Sequence, residues 1–197
     1  MSARERILAR LRQDTAPDRH AAPPRPALSG DPVQRFIQAV QAAAATLESI
    51  ADRTQVPAAV QRYQAEHHIS GAVALAPALA RLDWPDAMAL DIGTTDGAAQ
   101  LAVSQARAGI AETGSLVLVS GPDTPTRLNF LPEHQIVVLE AASILRHLDD
   151  ALSLLDASMP RALNLVTGPS RTADVEQTLQ LGAHGPRALH VLLVGMA

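Results

Sequence analysis

Ser115-Leu116-Val117-Leu118-Val119, Gln135-Ile136-Val137-Val138-Leu139 and Ala188-Leu189-His190-Val191-Leu192-Leu193-Val194 are apolar runs of strand length in the C-terminal half of the chain. Between the second and third, residues 142–157 carry Ile144, Leu145, Leu148, Leu152 and Leu155 at helical spacing, which predicts a helix. Residues 162–166 predict a further strand that ends at Gly168-Pro169, and residues 172–181 a second helix. Continuous apolar strands alternating with helices imply an α/β fold with a mostly parallel sheet covered on both faces. In such folds ligands sit beyond the carboxyl ends of the strands.

Upstream, Val33, Phe36, Ile37, Val40 and Leu47 predict one helical stripe across residues 31–51, and a second helix spans residues 54–67. Ser70-Gly71-Ala72-Val73-Ala74-Leu75 reads as a short strand. Residues 91–105 are ambiguous, because their alanines favour helix while Gly93 and Gly97 interrupt it. The chain opens with an amphipathic helix, residues 1–14, which sets Ile7, Leu8 and Leu11 among Arg4, Arg6, Arg10 and Arg12. Such a helix suits docking on a neighbouring domain or subunit, because three aliphatics bury too little to anchor it in lipid. Residues 15–30, with Pro17, Pro23, Pro24 and Pro26, read as an extended linker into a domain over residues 31–197.

Composition narrows the chemistry. The 197 residues include sixteen basic and twenty acidic side chains, a net charge of −4, and four aromatics: Phe36, Tyr63, Trp84 and Phe130. Neither a nucleic-acid binder nor a base-stacking platform is expected. Cysteine is absent, which excludes thiol nucleophiles and thiolate-held iron–sulfur clusters on this chain. Lysine is absent too, which excludes Schiff-base cofactors and the phosphate-binding P-loop. No apolar run approaches the roughly 20 residues of a membrane span. The opening residues lack the apolar core of a secretory signal, so a cytoplasmic protein is expected.

Polar residues and glycines cluster in four segments. Gly168-Pro169-Ser170-Arg171-Thr172-Ala173-Asp174 predicts an anion pocket. A strand-ending turn would there deliver free backbone N–H groups at a helix start, with Arg171 as a bidentate partner. Simple helix capping by Ser170 or Thr172 is the alternative. Glu112 stands between Gly109 and Gly114, whose spacing suggests close approach of another backbone or a ligand. Its carboxylate is a candidate base or nucleophile, or else an ion-pair partner of an arginine. His184-Gly185-Pro186-Arg187 follows Gly182 in a loop and offers an acid/base candidate in His184. The fourth, weaker segment is Arg127-Leu128-Asn129-Phe130-Leu131-Pro132-Glu133-His134. Gly168-Pro169-Ser170-Arg171-Thr172 nearly matches a nucleophile elbow, with Thr172 where the final glycine belongs. The seven histidines show no metal-ligand spacing, and no metal is expected.

Taken in order, Gly109-Ile110-Ala111-Glu112-Thr113-Gly114-Ser115, Leu131-Pro132-Glu133-His134, Gly168 to Asp174 and His184 to Arg187 resemble the lactate-utilisation (LUD) domain family. The resemblance covers most of the chain from about residue 30. It implies a three-layer α/β sandwich of the sugar-phosphate isomerase and CoA-transferase type, with strand rather than helix in residues 91–115. It also implies a part in oxidising L-lactate to pyruvate beside iron–sulfur partner proteins, this chain being the cluster-free subunit. No catalytic residue and no cofactor transfers with the resemblance. The expected site gathers Glu112, His184, Ser170, Arg171, Thr172, Arg187, Gly168, Thr113 and Gly114 around a small carboxylate or a cofactor anion. A CoA-transferase-like activity through Glu112-Thr113-Gly114, a hydrolase and a docking scaffold are the alternatives, and the oligomeric state stays open.

Overall fold

The computed structural model describes residues 2–13, 25–93, 95, 99–154, 160–172, 180–182 and 184–196. Its centre is a six-stranded, wholly parallel sheet. In spatial order the strands are β1 (Thr46–Ile50), β12 (Ala188–Val194), β7 (His134–Glu140), β4 (Leu101–Gln105), β2 (Val73–Leu75) and β3 (Leu90–Ile92). Side chains alternate between two cores, as the pleat demands. Leu101, Val103, Ile136, Val138, Leu192 and Val194 face helix α3 (Val56–Glu66), which brings Val56, Ala59, Val60 and Tyr63. Val137, Leu139, Val191 and Leu193 face the other way, onto Phe36 and Val40 of helix α2 (Pro32–Ala42). Complete burial of a side chain such as Phe36 contributes about 1.5–3 kcal/mol.

The third layer is shared between α2 and a second, four-stranded sheet. This sheet comprises β8 (Ile144–Leu145), β5 (Ala108–Ile110), β6 (Ser115–Val119) and β9 (Leu163–Val166). Strand β6 runs antiparallel to both β5 and β9, so Ser115–Val119 does not belong to the parallel sheet. It reads as continuously apolar because both its faces are covered. Leu116 and Leu118 join the α2 core, and Val117 joins Ala151 of the short helix α4 (Leu148–Ser153).

Three further expectations are corrected. The stripe drawn across residues 31–51 is two elements. Asp31 caps α2 by accepting from the Gln34 N–H at 3.0 Å, Pro32 opens it, and the chain turns at Ala44 (φ 60°) into β1, where Leu47 lies. The helix expected over residues 142–157 is a 3-10 turn (Ala141–Ser143), then β8, then the six-residue α4. The helix expected over residues 172–181 does not begin where it should. Arg171–Thr172 (β10) pairs antiparallel with Gln180–Leu181 (β11), and Asp174 with the rest of that span lies outside the described residues.

Helix α1 (Ala3–Gln13) starts with the reciprocal bonds of a capping box: Ser2 N–H to Glu5, and Glu5 N–H to the Ser2 hydroxyl. Its Ile7 and Leu11 are 60% and 59% exposed. Residues 25–30, within the expected linker, lie along the second sheet. Arg25 pairs with Asp149 and Asp150, and the Arg146 guanidinium donates to the carbonyls of Leu28 and Gly30.

Candidate functional site

A cleft of about 500 Å³ is lined by Phe130, Leu131, Pro132, Glu133, Gly182, His184, Gly185 and Arg187. Both walls are loops that lead into strands, one entering β7 at His134 and the other entering β12 at Ala188. The cleft therefore opens at the amino edge of the parallel sheet, not at the carboxyl edge. The first wall is fixed from below by a buried amide chain. Gln135, with no exposed surface, donates to Asn129 Oδ1 at 2.9 Å and to the Ser104 hydroxyl at 3.2 Å.

Ser170 joins the two loops from behind. Its N–H donates to the Pro186 carbonyl at 2.8 Å, its carbonyl accepts from Gly182 N–H at 3.1 Å, and its hydroxyl accepts from His184 N–H at 3.4 Å. The segment expected at the carboxyl edge, at a helix start, instead bridges the amino-edge loops, and Arg171 stands exposed on β10. Among the described residues no helix starts at this turn, because Arg171 and Thr172 are extended in β10, whereas a nucleophile elbow passes directly from strand through turn into helix. Arg187 reaches the cleft with a loose pair to Glu133, 3.8 Å, both half exposed. His184 is exposed, and its ring has no partner among the described residues.

Gly114 and Gly168 pack against α2 and its C-terminal cap, and Thr113 bonds to Ser115. Ser115 Oγ lies 2.7 Å from Thr113 Oγ1 and 2.5 Å from Thr167 Oγ1, a short hydroxyl chain beside the end of that helix. Gly114 (φ +70°) and Gly168 (φ +77°) both adopt backbone that favours glycine, and both touch the helix backbone. A Cβ on Gly114 would fall 2.6 Å from the backbone of Ala39 and Val40. One on Gly168 would fall 2.3 Å from the Ala43 carbonyl oxygen. The close approach implied by Gly114 is thus that of the chain's own helix.

Glu112 lies apart from the cleft lining. Its carboxylate accepts from His147 Nδ1 at 2.8 Å and from Leu148 N–H at 2.9 Å, and so secures the start of α4. The His147 bond first, then the Leu148 bond, hold its carboxyl below the usual carboxylate range. Its ion-pair partner is a histidine, not an arginine. A carboxylate that accepts two hydrogen bonds is a poor base, so this geometry does not favour Glu112 as one.

The matched family model, LUD domain, spans residues 33–194. The chain belongs to the LUD domain family. It is 37% identical over 94 residues to an uncharacterised protein of Neisseria meningitidis serogroup B, covering 46% of this chain and 40% of that one. It is 32% identical over 91 residues to lactate utilization protein C of Bacillus subtilis, covering 43% and 38%. The match thus spans about two-fifths of these curated relatives. A crystal structure of a DUF162 family protein from Deinococcus radiodurans shares the fold, with TM-score 0.63 and 18% identity over 86% of this chain and all of that one.

Beside the cleft, this LUD chain holds an aromatic cluster that sequence reasoning left scattered. Tyr63 on α3 stacks against His67 at 4.1 Å and His190 at 4.9 Å between ring centroids, and its hydroxyl lies 3.1 Å from His134 Nδ1. Burial pushes the Tyr63 phenol up to about 12 and His190 down to about 4. His190 Nδ1 meets the Thr46 hydroxyl at 2.7 Å, while its buried Nε2 has no partner among the described residues. His134 also lies below its ordinary value, through burial first and then the charges of His67 and Arg187. The usable signal was the two-residue spacing of Ile136 from His134 and of Leu192 from His190, which puts both rings on the α3 face. Among the described residues no three His, Asp or Glu side chains are grouped to hold a metal ion, and no helix is long and apolar enough to cross a membrane.

Proposed function

We propose that this chain is the cluster-free component of an L-lactate oxidation system and that its amino-edge cleft binds a small carboxylate or an anionic cofactor group. One observation carries the reading: the Leu131–Glu133 segment, Ser170 and the His184–Arg187 segment, distant in sequence, meet around one cleft. In this reading Arg187 exchanges its loose partner Glu133 for the ligand carboxylate, which its planar fork can grip through two N–H groups. His184 is free to hold a proton beside the ligand, and Phe130 and Leu131 present apolar surface to the remainder of it. Oxidation of lactate to pyruvate releases two electrons and two protons. In this reading the two electrons pass to the iron–sulfur partner proteins and the two protons to solvent, this chain having no cysteine to hold a cluster of its own. The names of several curated relatives support the lactate assignment.

The test is lactate oxidation by the chain reconstituted with its iron–sulfur partners. Arg187→Met should lower the rate per folded molecule at least tenfold. Arg62→Met, which removes a surface pair with Glu48 elsewhere, should leave it unchanged. Equal rates for both variants would overturn the assignment of the cleft.

A further inference from the structure

The parallel sheet reverses its winding between β2 and β4. From the carboxyl end of β2 the chain proceeds outward to β3, and from that of β4 it proceeds the other way, through the second sheet to β7. At such a switch point the two departing loops diverge and leave a crevice, which is where open α/β sheets receive ligands. A cavity of about 170 Å³ occupies this place, lined by Ala78, Gln105, Ala106, Arg107, Val119 and Thr124. It lies at the sheet edge opposite the His184–Arg187 cleft.

Its walls are fixed by main-chain bonds. Ala76 N–H donates to the Val103 carbonyl at 2.9 Å, Ala78 N–H to the Asp123 carbonyl at 3.1 Å, and Arg107 N–H to the Val117 carbonyl at 2.8 Å. Thr124 spends its hydroxyl proton on the Val119 carbonyl at 2.7 Å. The side chains of Gln105 and Arg107 have no partner among the described residues, so a guanidinium and an amide are available to one small space. Ala78, Ala106 and Val119 make the rest of it apolar. A space of about 170 Å³ with one guanidinium and one amide in its lining suits a short ligand.

We propose that this switch-point crevice is a second ligand site, taking a short carboxylate. Arg107 pairs with the carboxylate, Gln105 donates to a neighbouring oxygen, and the alanine–valine wall receives a methyl group. The proposal stands independently of the amino-edge cleft. Its test is a titration of the ¹⁵N-labelled full chain with sodium pyruvate, against sodium chloride at equal ionic strength. Saturable shifts are expected at Ala106, Arg107, Val119 and Thr124 with pyruvate only. Arg107→Met should weaken the apparent Kd at least tenfold, and Gln105→Leu at least threefold, which provides a second reading if the first variant folds poorly. Gly185 and Arg187 signals report the other cleft in the same titration, so each site succeeds or fails separately. Crevice shifts that never saturate, that chloride reproduces, or that both variants leave unchanged would overturn the proposal.

Discussion

His190 sits 8% exposed on β12, with one ring nitrogen on Thr46 and the other without a partner among the described residues. Burial lowers its pKa from 6.5 to about 4, because the charged ring cannot be solvated there. Above pH 6.5 the ring is neutral in both folded and unfolded chains, and its place in the core is fully tolerated. Between pH 6.5 and 4 the unfolded chain takes up a proton that the folded chain refuses, so stability falls as pH falls. Below pH 4 both states are protonated and this loss is complete. A difference of about 2.5 pKa units corresponds to about 3 kcal/mol in total, of which about 2 kcal/mol is already lost at pH 5. His190→Asn leaves Thr46 a partner and removes the titration. Urea unfolding of both proteins at pH 7.5 and pH 5 should show the wild type losing about 2 kcal/mol more than the variant. Equal losses, within about 0.5 kcal/mol, would refute the reasoning.

Gly168→Ala should cost at least about 2 kcal/mol in urea, since its Cβ would meet the Ala43 carbonyl oxygen at 2.3 Å in a left-handed backbone. Gly30→Ala, at φ +87° with nothing within 4 Å, should cost only about 1 kcal/mol, so equal losses would refute the helix contact. Glu112→Gln should destabilise by about 1 kcal/mol at pH 7, and by less once pH falls below 4.5. The folded-state carboxyl titrates below 4.5, and the stability its ionised form provides disappears on protonation. A constant difference from pH 7 down to pH 3 would contradict the His147 pairing. Deleting residues 1–14 should leave the thermal midpoint of the remainder within about 2 °C, given the exposure of Ile7 and Leu11. A large fall in the midpoint would show that α1 belongs to the core.

Three of the six parallel strands, β2, β7 and β12, were legible because they are buried on both faces and therefore continuously apolar, and β7 and β12 are found within a residue of their expected limits. The same signal misled at β6, since a run of buried residues does not reveal the direction of its neighbours. Strand β1 was hidden because α2 is ended by Ala44 in a left-handed conformation, where the usual sequence signal is glycine or asparagine. At the site, the expected grouping of Ser170, His184 and Arg187 is found, but Glu112, expected with them, is not part of it. Three of the four motif segments meet at the cleft, whereas Glu112 was separated from them by a partner, His147, that belongs to none of the four. The expectation of a carboxyl-edge pocket failed at Arg171 because β9 lies outside the parallel sheet, and the chain after it returns to the amino edge.

The most direct test of the account is whether Arg187 grips a carboxylate. A calorimetric titration of the full chain with L-lactate, run beside Arg187→Met at equal folded concentration, should give binding that the variant weakens at least tenfold. That factor is equivalent to about 1.4 kcal/mol. Because Arg187 is half exposed and only loosely paired with Glu133, the variant should keep its urea midpoint. Unchanged lactate affinity in a fully folded Arg187→Met protein would contradict the central claim.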